Sequence, residues 1–281
     1  MALALPMPTL DHVVVNVRDQ IDAGLKTYQQ LGFTMTPRGY HTLGSMNHLA
    51  ILGTEYLELI AAKPGDTRRA EILASPFGLN GLVFGTDDSA AAYAALSEAG
   101  VPAEPPLEFS RPVELSGGAR DATFRTVRLK SGTVPAGRLY FCHHFTRDLV
   151  WRDEWRHHAN GAIGVLRAVI AARDPSSLRA LLVRMFGDGA VRSSGAGCSL
   201  AVGLSRFDVV TPGELVGEYG EAAPSGDGRD EFMAALTIRT RSLDVAAAAL
   251  QAGGIAGVRR DAARIIVPAS ATFGVALEFC A

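Results

Sequence analysis

The strongest constraint on the fold is an internal repeat, because four segments of similar pattern follow one another along the 281 residues. Each segment opens with an apolar run typical of a strand, continues with apolar positions at helical spacing, and then carries shorter strand-like runs. The four openings are LDHVVVNV, NGLVFG, GAIGVLRAVIAA and EFMAALTIR. The repeat therefore predicts four βαβββ modules and an α+β fold.

A polar, charged stretch separates the second module from the third. It reads TRDLVWRDEWRHHANGA and carries both tryptophans, Trp151 and Trp155. A Trp ring buries a large apolar area, so we expect these two side chains to anchor the connection against its neighbours. The prediction is an N-terminal domain over residues 1–150, a linker over 151–160 and a C-terminal domain over 161–281.

Charge and composition exclude several classes of protein. Lys and Arg number 27 against 29 Asp and Glu, without a run of like charge, so no nucleic-acid partner is expected. The N-terminus lacks the pattern of a signal peptide and no segment stays apolar long enough to cross a membrane, so a cytoplasmic protein without a membrane partner is predicted. The three cysteines show no metal or disulfide spacing and are expected as buried free thiols: Cys142, Cys198 and Cys280.

Four segments of the first half, LDHVVVNV, GYHTLGSMNHLAIL, EYLELI and RLYFCHHFTRDLVW, resemble the glyoxalase-like domain of the vicinal oxygen chelate superfamily. The second half resembles it only in its module pattern. The resemblance implies that modules pair into two U-shaped mixed sheets, each around a cavity that often holds a divalent metal. It also implies that metal ligands come mainly from the first and last strands of modules. The fold does not fix the reaction, because isomerases, dioxygenases and metal-free binding proteins share it.

Strand alternation selects the first candidate ligands. His12 and Asn16 share one face of LDHVVVNV, which we expect to be the cavity face, while valines form the opposite face. Glu58 interrupts the apolar strand EYLELI, and a buried carboxylate needs a cation, a metal or a proton. The resemblance implies that these two strands are neighbours, so Glu58 is expected beside His12. The alternatives are a solvated Glu58 and a purely structural His12.

The second module must supply a third ligand from its last strand. Its first strand has Gly81 at the matching position, which cannot coordinate a metal. The strand RLYFCHHF offers His143 and His144 on opposite faces, and we select His144 because it continues the face of Tyr140 and Cys142. A β-bulge would exchange the two histidines.

The predicted metal ligands are therefore His12, Glu58 and His144. Two imidazole nitrogens and a carboxylate oxygen suit Zn, Fe, Mn, Co or Ni, and the sequence does not choose among these ions. Asn16 is the candidate for a partner that orients an imidazole.

Glu58 and His48 are the candidate catalytic residues. His41, Asn47 and His48 lie in the strand region of the first module and are expected to contact a substrate. A rim position in water is the alternative for His48.

The C-terminal half has no histidine at the corresponding positions. Arg167 occupies about the register of His12, and Glu278 in ALEF matches Glu58 in YLEL. A guanidinium can replace a metal as the partner of a carboxylate, so an Arg167–Glu278 ion pair and a metal-free copy are predicted.

Two functions from different classes remain. The first is a divalent-metal-dependent lyase, isomerase or dioxygenase acting on a small oxygenated molecule. The alternative is a metal-free protein that binds or sequesters such a molecule. The expected partner is a small-molecule substrate or ligand, together with a second copy of the chain if the protein forms a homodimer.

Overall fold

The computed structural model describes residues 5–281 and contains the four predicted βαβββ modules. The first module comprises β1 (Leu10–Asn16), α1 (Ile21–Gln30), β2 (Gly39–Tyr40), β3 (Ser45–Ile51) and β4 (Tyr56–Ala62). A short helix, α2 (Ala70–Ala74), leads to the second module. That module comprises β5 (Gly78–Gly85), α3 (Ser89–Glu98), β6 (Leu107–Val113), β7 (Arg120–Arg128) and β8 (Arg138–His144).

The second half repeats this order of elements. The third module comprises β9 (Ala162–Ala172), α4 (Pro175–Phe186), β10 (Val191–Ser194), β11 (Gly197–Val202) and β12 (Ser205–Val210). An additional helix, α5 (Pro212–Tyr219), separates it from the fourth module. The fourth module comprises β13 (Glu231–Thr240), α6 (Leu243–Ala252), β14 (Arg259–Arg260), β15 (Arg264–Val267) and β16 (Ala276–Cys280).

Local sequence signals explain where the module helices begin. Asp88 precedes α3, and its side chain accepts hydrogen bonds from the backbone N–H groups of Ala90 and Ala91. Asp174 caps α4 in the same way, and Pro175 occupies the first turn, where a missing N–H group costs nothing. Each helix therefore starts directly after the first strand of its module.

The strands form two eight-stranded sheets with the same internal order. The first is β2-β3-β4-β1-β5-β8-β7-β6 and the second is β10-β11-β12-β9-β13-β16-β15-β14. In the first sheet β1 pairs with β4 in parallel and with β5 antiparallel, and β9 makes the equivalent pairs in the second. The predicted α+β fold of two mixed sheets is confirmed.

The first sheet bends until its two edge regions meet. The backbone N–H of Thr42, after β2, donates to the carbonyl of Ser110 in β6 at 2.9 Å. The rings of His41 and Phe109 meet edge to face with centroids 5.3 Å apart. These contacts join opposite ends of the strand order, so the sheet encloses a cavity.

The helix-facing sides of both sheets share one hydrophobic core. Phe84 of β5 packs against Phe186 at 5.1 Å and against Phe207 at 5.5 Å between ring centroids. The predicted boundary at residues 151–160 falls between β8 and β9. The division into two domains stays a prediction, because the core crosses that boundary.

The concave faces of the two sheets differ. In the second sheet the buried side chains of Leu215 and Tyr219 from α5 pack against Val169 and Ala235. In the first sheet the short helix α2 contributes Ile72 to the corresponding cluster. Helix α5 therefore fills space on the second sheet that stays partly open on the first.

Two further sequence predictions concern the whole chain. Along residues 5–281, no helix combines the length and the apolar character that crossing a membrane requires. The three cysteines are free; Cys142 and Cys198 are buried, whereas Cys280 is partly exposed.

Candidate functional site

His12 lies at the centre of the N-terminal cavity. As strand alternation predicts, its side chain is on the cavity face of β1, while Val13 and Val15 face the shared core. The ring stacks on Tyr56 with centroids 4.4 Å apart. Its Nε2 lies 3.1 Å from the Tyr140 hydroxyl oxygen. Both edges of this imidazole therefore contact other side chains, and its orientation is fixed.

Asp11 occupies the other edge of the His12 ring. Its Oδ1 lies 2.5 Å from His12 Nδ1 and 3.0 Å from His144 Nε2. The β1–β5 register shifts between Leu10 and His12, so Asp11 stands at an irregularity where strict alternation fails. Burial alone would raise the pKa of the Asp11 carboxyl, but His144 and His12 outweigh it and hold that pKa well below the usual range. The carboxylate is therefore ionised.

Asp11, His12 and His144 form a group suited to a metal ion. One ligand atom from each residue lies within 4.8 Å of the other two. His144, selected from the sequence, points to Asp11, whereas the ring of His143 packs at a tilt against Phe145, with centroids 4.3 Å apart. Two imidazoles and one carboxylate match the ligand preferences of several divalent transition metals.

Glu58 is buried beside His12, as expected, but on the opposite edge of the ring from Asp11. Its Oε2 lies 3.7 Å from His12 Nε2, and its Oε1 accepts a hydrogen bond from Asn47 Nδ2 at 2.6 Å. Burial would raise the pKa of the Glu58 carboxyl, but His12, His41 and Asn47 lower it overall. Glu58 is not part of the group formed with His144, so the structure brings the predicted ligands together only in part.

Strand register identifies the equivalent positions of the second module. Val14 lies opposite Glu58 in the β1–β4 pair, and Val83 lies opposite Tyr140 in the β5–β8 pair. Tyr140 therefore corresponds to Glu58, just as Gly81 corresponds to His12. A Cβ on Gly81 would lie 2.9 Å from the Val14 side chain, so this close approach leaves no room for a ligand there.

The remaining predicted residues divide into two groups. His41 and Asn47 line the cavity. His48 does not: its Nδ1 lies 2.7 Å from the Thr36 carbonyl oxygen, because Asn47 and Leu49 take the cavity face of β3. The amide of Asn16 donates to the Ile72 carbonyl at 2.9 Å and holds the chain near α2. Asp11, and not Asn16, is therefore the residue that orients the His12 ring.

Trp151 packs against the group formed by Asp11, His12 and His144. Its ring meets His144 edge to face at 4.8 Å and Tyr56 at 5.4 Å. Trp151, in the connection between the two halves, therefore covers one side of the His144 ring.

The predicted Arg167–Glu278 ion pair is wrong. Register places Arg167 opposite Arg206 and Val169 opposite Asp208 in the β9–β12 pair, so Asp208 is the equivalent of Glu58. Arg167 Nε donates to Asp208, and Arg167 Nη1 donates to Glu218 Oε1 at 2.5 Å. A guanidinium does neutralise a carboxylate here, but its partner comes from the last strand of the same module.

Glu278 has other partners. The hydroxyl of Tyr219 donates to its Oε2 at 3.1 Å, and Arg264 Nη1 lies 3.6 Å from the same oxygen. Because Tyr219 belongs to α5, the helix that fills the second concave face also satisfies this carboxylate.

The sequence analysis missed two sets of cavity residues. Asp11 directly precedes His12, but alternation assigns adjacent residues to opposite faces. Four arginines also line the N-terminal cavity. One directly precedes α2, and the others lie in β6, β7 and β8. These are Arg69, Arg111, Arg128 and Arg138. For Arg128 and Arg138 the sequence did carry a signal, an arginine at the end of a largely apolar strand, as in TVRL and RLYF.

Comparison with solved structures supports the fold. A hypothetical protein from Staphylococcus aureus aligns over 97% of this chain and 99% of its own, with a TM-score of 0.69 and 11% identity. A mutant of 4-hydroxymandelate synthase from Streptomyces coelicolor aligns over 98% and 92%, with a TM-score of 0.57 and 14% identity. A xylose isomerase-like TIM barrel/4-hydroxyphenylpyruvate dioxygenase fusion protein aligns over 99% of this chain and 50% of its own, with a TM-score of 0.60 and 14% identity. At these identities the likeness concerns the fold alone.

Sequence comparison identifies the family. No curated protein matches the sequence. The family described as glyoxalase-like domain matches residues 10–186, from the start of β1 to the end of α4. The match covers more than half of the chain and includes every residue of the Asp11, His12 and His144 group. The chain therefore belongs to the glyoxalase-like domain family of the vicinal oxygen chelate superfamily.

Proposed function

We propose that the protein is a divalent-metal-dependent enzyme acting on a small oxygenated molecule, as a lyase, isomerase or dioxygenase. The observation that supports this proposal is the group of Asp11, His12 and His144, whose ligand atoms lie within 4.8 Å of one another. Relative to the set predicted from sequence, Asp11 takes the place of Glu58. Zn, Fe, Mn, Co and Ni all accept two imidazoles and a carboxylate with further positions open.

The chemistry of these side chains fits such an ion. The Asp11 carboxylate is buried and its lowered pKa keeps it ionised, so it carries the negative charge that a cation requires. His12 Nδ1 and His144 Nε2 both face Asp11 Oδ1, at 2.5 Å and 3.0 Å, so the three candidate ligand atoms converge. A divalent ion bound here would act as a Lewis acid on a substrate oxygen.

Other residues of the cavity are suited to handle protons. Glu58 has a lowered pKa and is held by Asn47, so its carboxylate can accept a proton from a substrate. Burial raises the pKa of Tyr140, so its hydroxyl stays protonated and can donate a hydrogen bond to a substrate oxygen. Tyr56 holds the His12 ring by stacking and limits its movement.

Metal titration of protein purified without a His tag tests this proposal. After chelator treatment, calorimetry with Zn, Mn and Co should give one site per chain. Asp11→Asn should weaken binding by more than about tenfold, since even groups that only orient a ligand contribute 10- to 100-fold. Glu58→Gln should retain uptake.

A neighbouring pair of histidines provides the control. His144→Ala should weaken metal binding, whereas His143→Ala should not, because His143 faces away from Asp11. Equal metal binding by wild type and Asp11→Asn would remove the proposed site. Loss of metal in Glu58→Gln alone would move the ion to the other edge of His12.

A metal-free binding protein is the second candidate, and one observation favours it. Glu58 already has a hydrogen-bond partner in Asn47 at 2.6 Å and does not need an ion to be satisfied. Absence of metal uptake together with retention of a small ligand in the cavity would select this candidate.

A further inference from the structure

The N-terminal cavity is lined by an excess of positive charge. Four guanidinium groups border it, those of Arg69, Arg111, Arg128 and Arg138, whereas Glu58 is the one carboxylate among its lining residues. Buried arginines are normally paired, because an isolated charge in a low-dielectric interior is costly. The hydrogen-bond and ion-pair partners of these four groups therefore show how much of the positive charge is neutralised within the protein.

Two of the arginines have partners in the protein. Arg69 Nε donates to Glu71 Oε1 at 2.6 Å and its Nη1 donates to Ser45 Oγ at 2.6 Å. Arg138 Nε donates to the Asn80 side-chain oxygen at 3.1 Å. The Nη2 of Arg138 is nevertheless buried without an acceptor among the described residues.

The other two arginines have no carboxylate partner. Arg111 is only 4% exposed, and its Nη2 is buried without an acceptor. Neither Arg111 nor Arg128 forms a salt bridge within 4.0 Å to any residue between 5 and 281. Burial lowers the pKa of both groups, which expresses the cost of holding these charges away from water.

Glu58 does not cancel this charge. It accepts from Asn47, approaches His12, and lies beyond salt-bridge distance of every arginine in the cavity. Glu71 pairs with Arg69 alone. A positive excess therefore remains, and arginine cannot relieve it by losing its proton.

The free space limits the size of the missing partner. The cavity volume is about 30 Å³, and a water molecule needs about 10–15 Å³ on this measure. That space accepts an oxyanion group but not a large anionic molecule.

We propose that the cavity binds the oxyanion group of a small carboxylate or phosphate, with Arg111 and Arg128 as its charged donors and Arg138 Nη2 as a further donor. The planar fork of a guanidinium matches both kinds of anion. The inference deepens the proposed function by naming a substrate class, and rests on it only in taking this anion to be part of the substrate.

Calorimetric titration of the chelator-treated full chain with acetate and with inorganic phosphate, at constant ionic strength, tests the inference. Wild type should bind at least one probe, and the tighter of the two identifies the class. Acetamide, which is similar in size to acetate but neutral, should not bind. Arg111→Met should weaken binding about 10- to 100-fold, the loss expected for a charge-assisted hydrogen bond.

Two further variants separate binding from folding. Arg125→Met is the matched control, because Arg125 is a partly exposed β7 arginine that pairs with Glu108 and does not line the cavity, and this variant should bind the probe like wild type. Arg111→Lys keeps the charge without the fork and should bind with intermediate affinity. Arg111→Met should unfold at the same or a higher temperature than wild type when no probe is present.

Two outcomes would overturn the inference: no probe binding by wild type, or equal binding by wild type and Arg111→Met. Anion binding by a chain that takes up no metal would leave the inference intact and defeat the proposed metal enzyme. Metal uptake without anion binding would support the proposed metal enzyme and overturn the inference.

Discussion

The two halves of the molecule use the same sheet order, but they satisfy their buried charges differently. At the position of His12 the second half has Arg167, which pairs with Asp208 and Glu218. At the position of Tyr140 it has Glu278, which accepts from Tyr219 of α5. The second half therefore neutralises its central charges internally.

The first half leaves donors without acceptors. Arg111 is at least as deeply buried as Asp208 and Glu278 of the second half, yet its Nη2 has no partner in the described chain. The region that α5 fills in the second sheet is a cavity in the first. The difference indicates that one copy of the repeated scaffold is completed by its own side chains, whereas the other retains a cavity and unpaired donors that the proposed ligand would use.

The largest expected effect that separates the halves is on stability. Arg167→Met should lower the free energy of unfolding by about 3 kcal/mol, because it removes the cation that lies between Asp208 and Glu218. Arg206 and Arg264 stay near these two carboxylates, so the loss falls at the lower end of the range for a broken buried ion pair. Urea denaturation followed by circular dichroism measures this loss. Arg111→Met should cause no loss of stability under the same conditions, and an equal loss in the two variants would contradict the comparison.

A smaller effect, of about 2 kcal/mol, is expected from pH. Burial lowers the pKa of His41 from 6.5 to about 4, so the folded protein binds this proton less readily than the unfolded chain does. The stability that neutral His41 contributes is fully present above pH 6.5 and is lost as pH falls towards 4. His41→Asn should flatten this part of the stability curve.

Denaturation midpoints of wild type and His41→Asn between pH 7 and pH 4 provide that measurement. All seven histidines of the chain precede residue 159, so the second half contributes no imidazole to the difference. Parallel curves for the two proteins would show that His41 is not the titrating group.

The smallest effect concerns the close approach of two strands. Gly81→Ala should lower the free energy of unfolding by about 1 kcal/mol, the lower end of the range for overpacking, because a single added methyl would lie 2.9 Å from the Val14 side chain. The equivalent residue of the second half is already alanine, Ala235, opposite Val169. Thermal unfolding of Gly81→Ala measures the cost, and an unchanged midpoint would show that the strands accommodate a methyl equally well in both halves.

The sequence was sufficient for the fold because each module opening carries its own periodicity. The alternation of LDHVVVNV placed His12 in the cavity, and the apolar run of EYLELI identified Glu58 as a buried carboxylate. These predictions depend on regular strands, where residue number alone determines the face.

The missed features arise where that regularity fails or where contacts are distant in sequence. Asp11 contacts His144 because the β1–β5 register shifts between Leu10 and His12, and no residue type in the sequence indicates that shift. Arg167 finds Asp208 through strand pairing, 41 positions along the chain, whereas the sequence match of ALEF to YLEL pointed to Glu278. Arg111 belongs to β6, in the part of the second module where the strand pattern is weakest.

The core that joins the two sheets has a consequence for how the polypeptide can be produced. Phe84 is fully buried, and its neighbours Phe186 and Phe207 both come from the second half. A fragment ending at residue 150 would present this aromatic surface to water, and such exposed patches promote aggregation. The family match likewise continues past the linker to residue 186. The N-terminal half should therefore remain soluble only when both halves are synthesised as one chain.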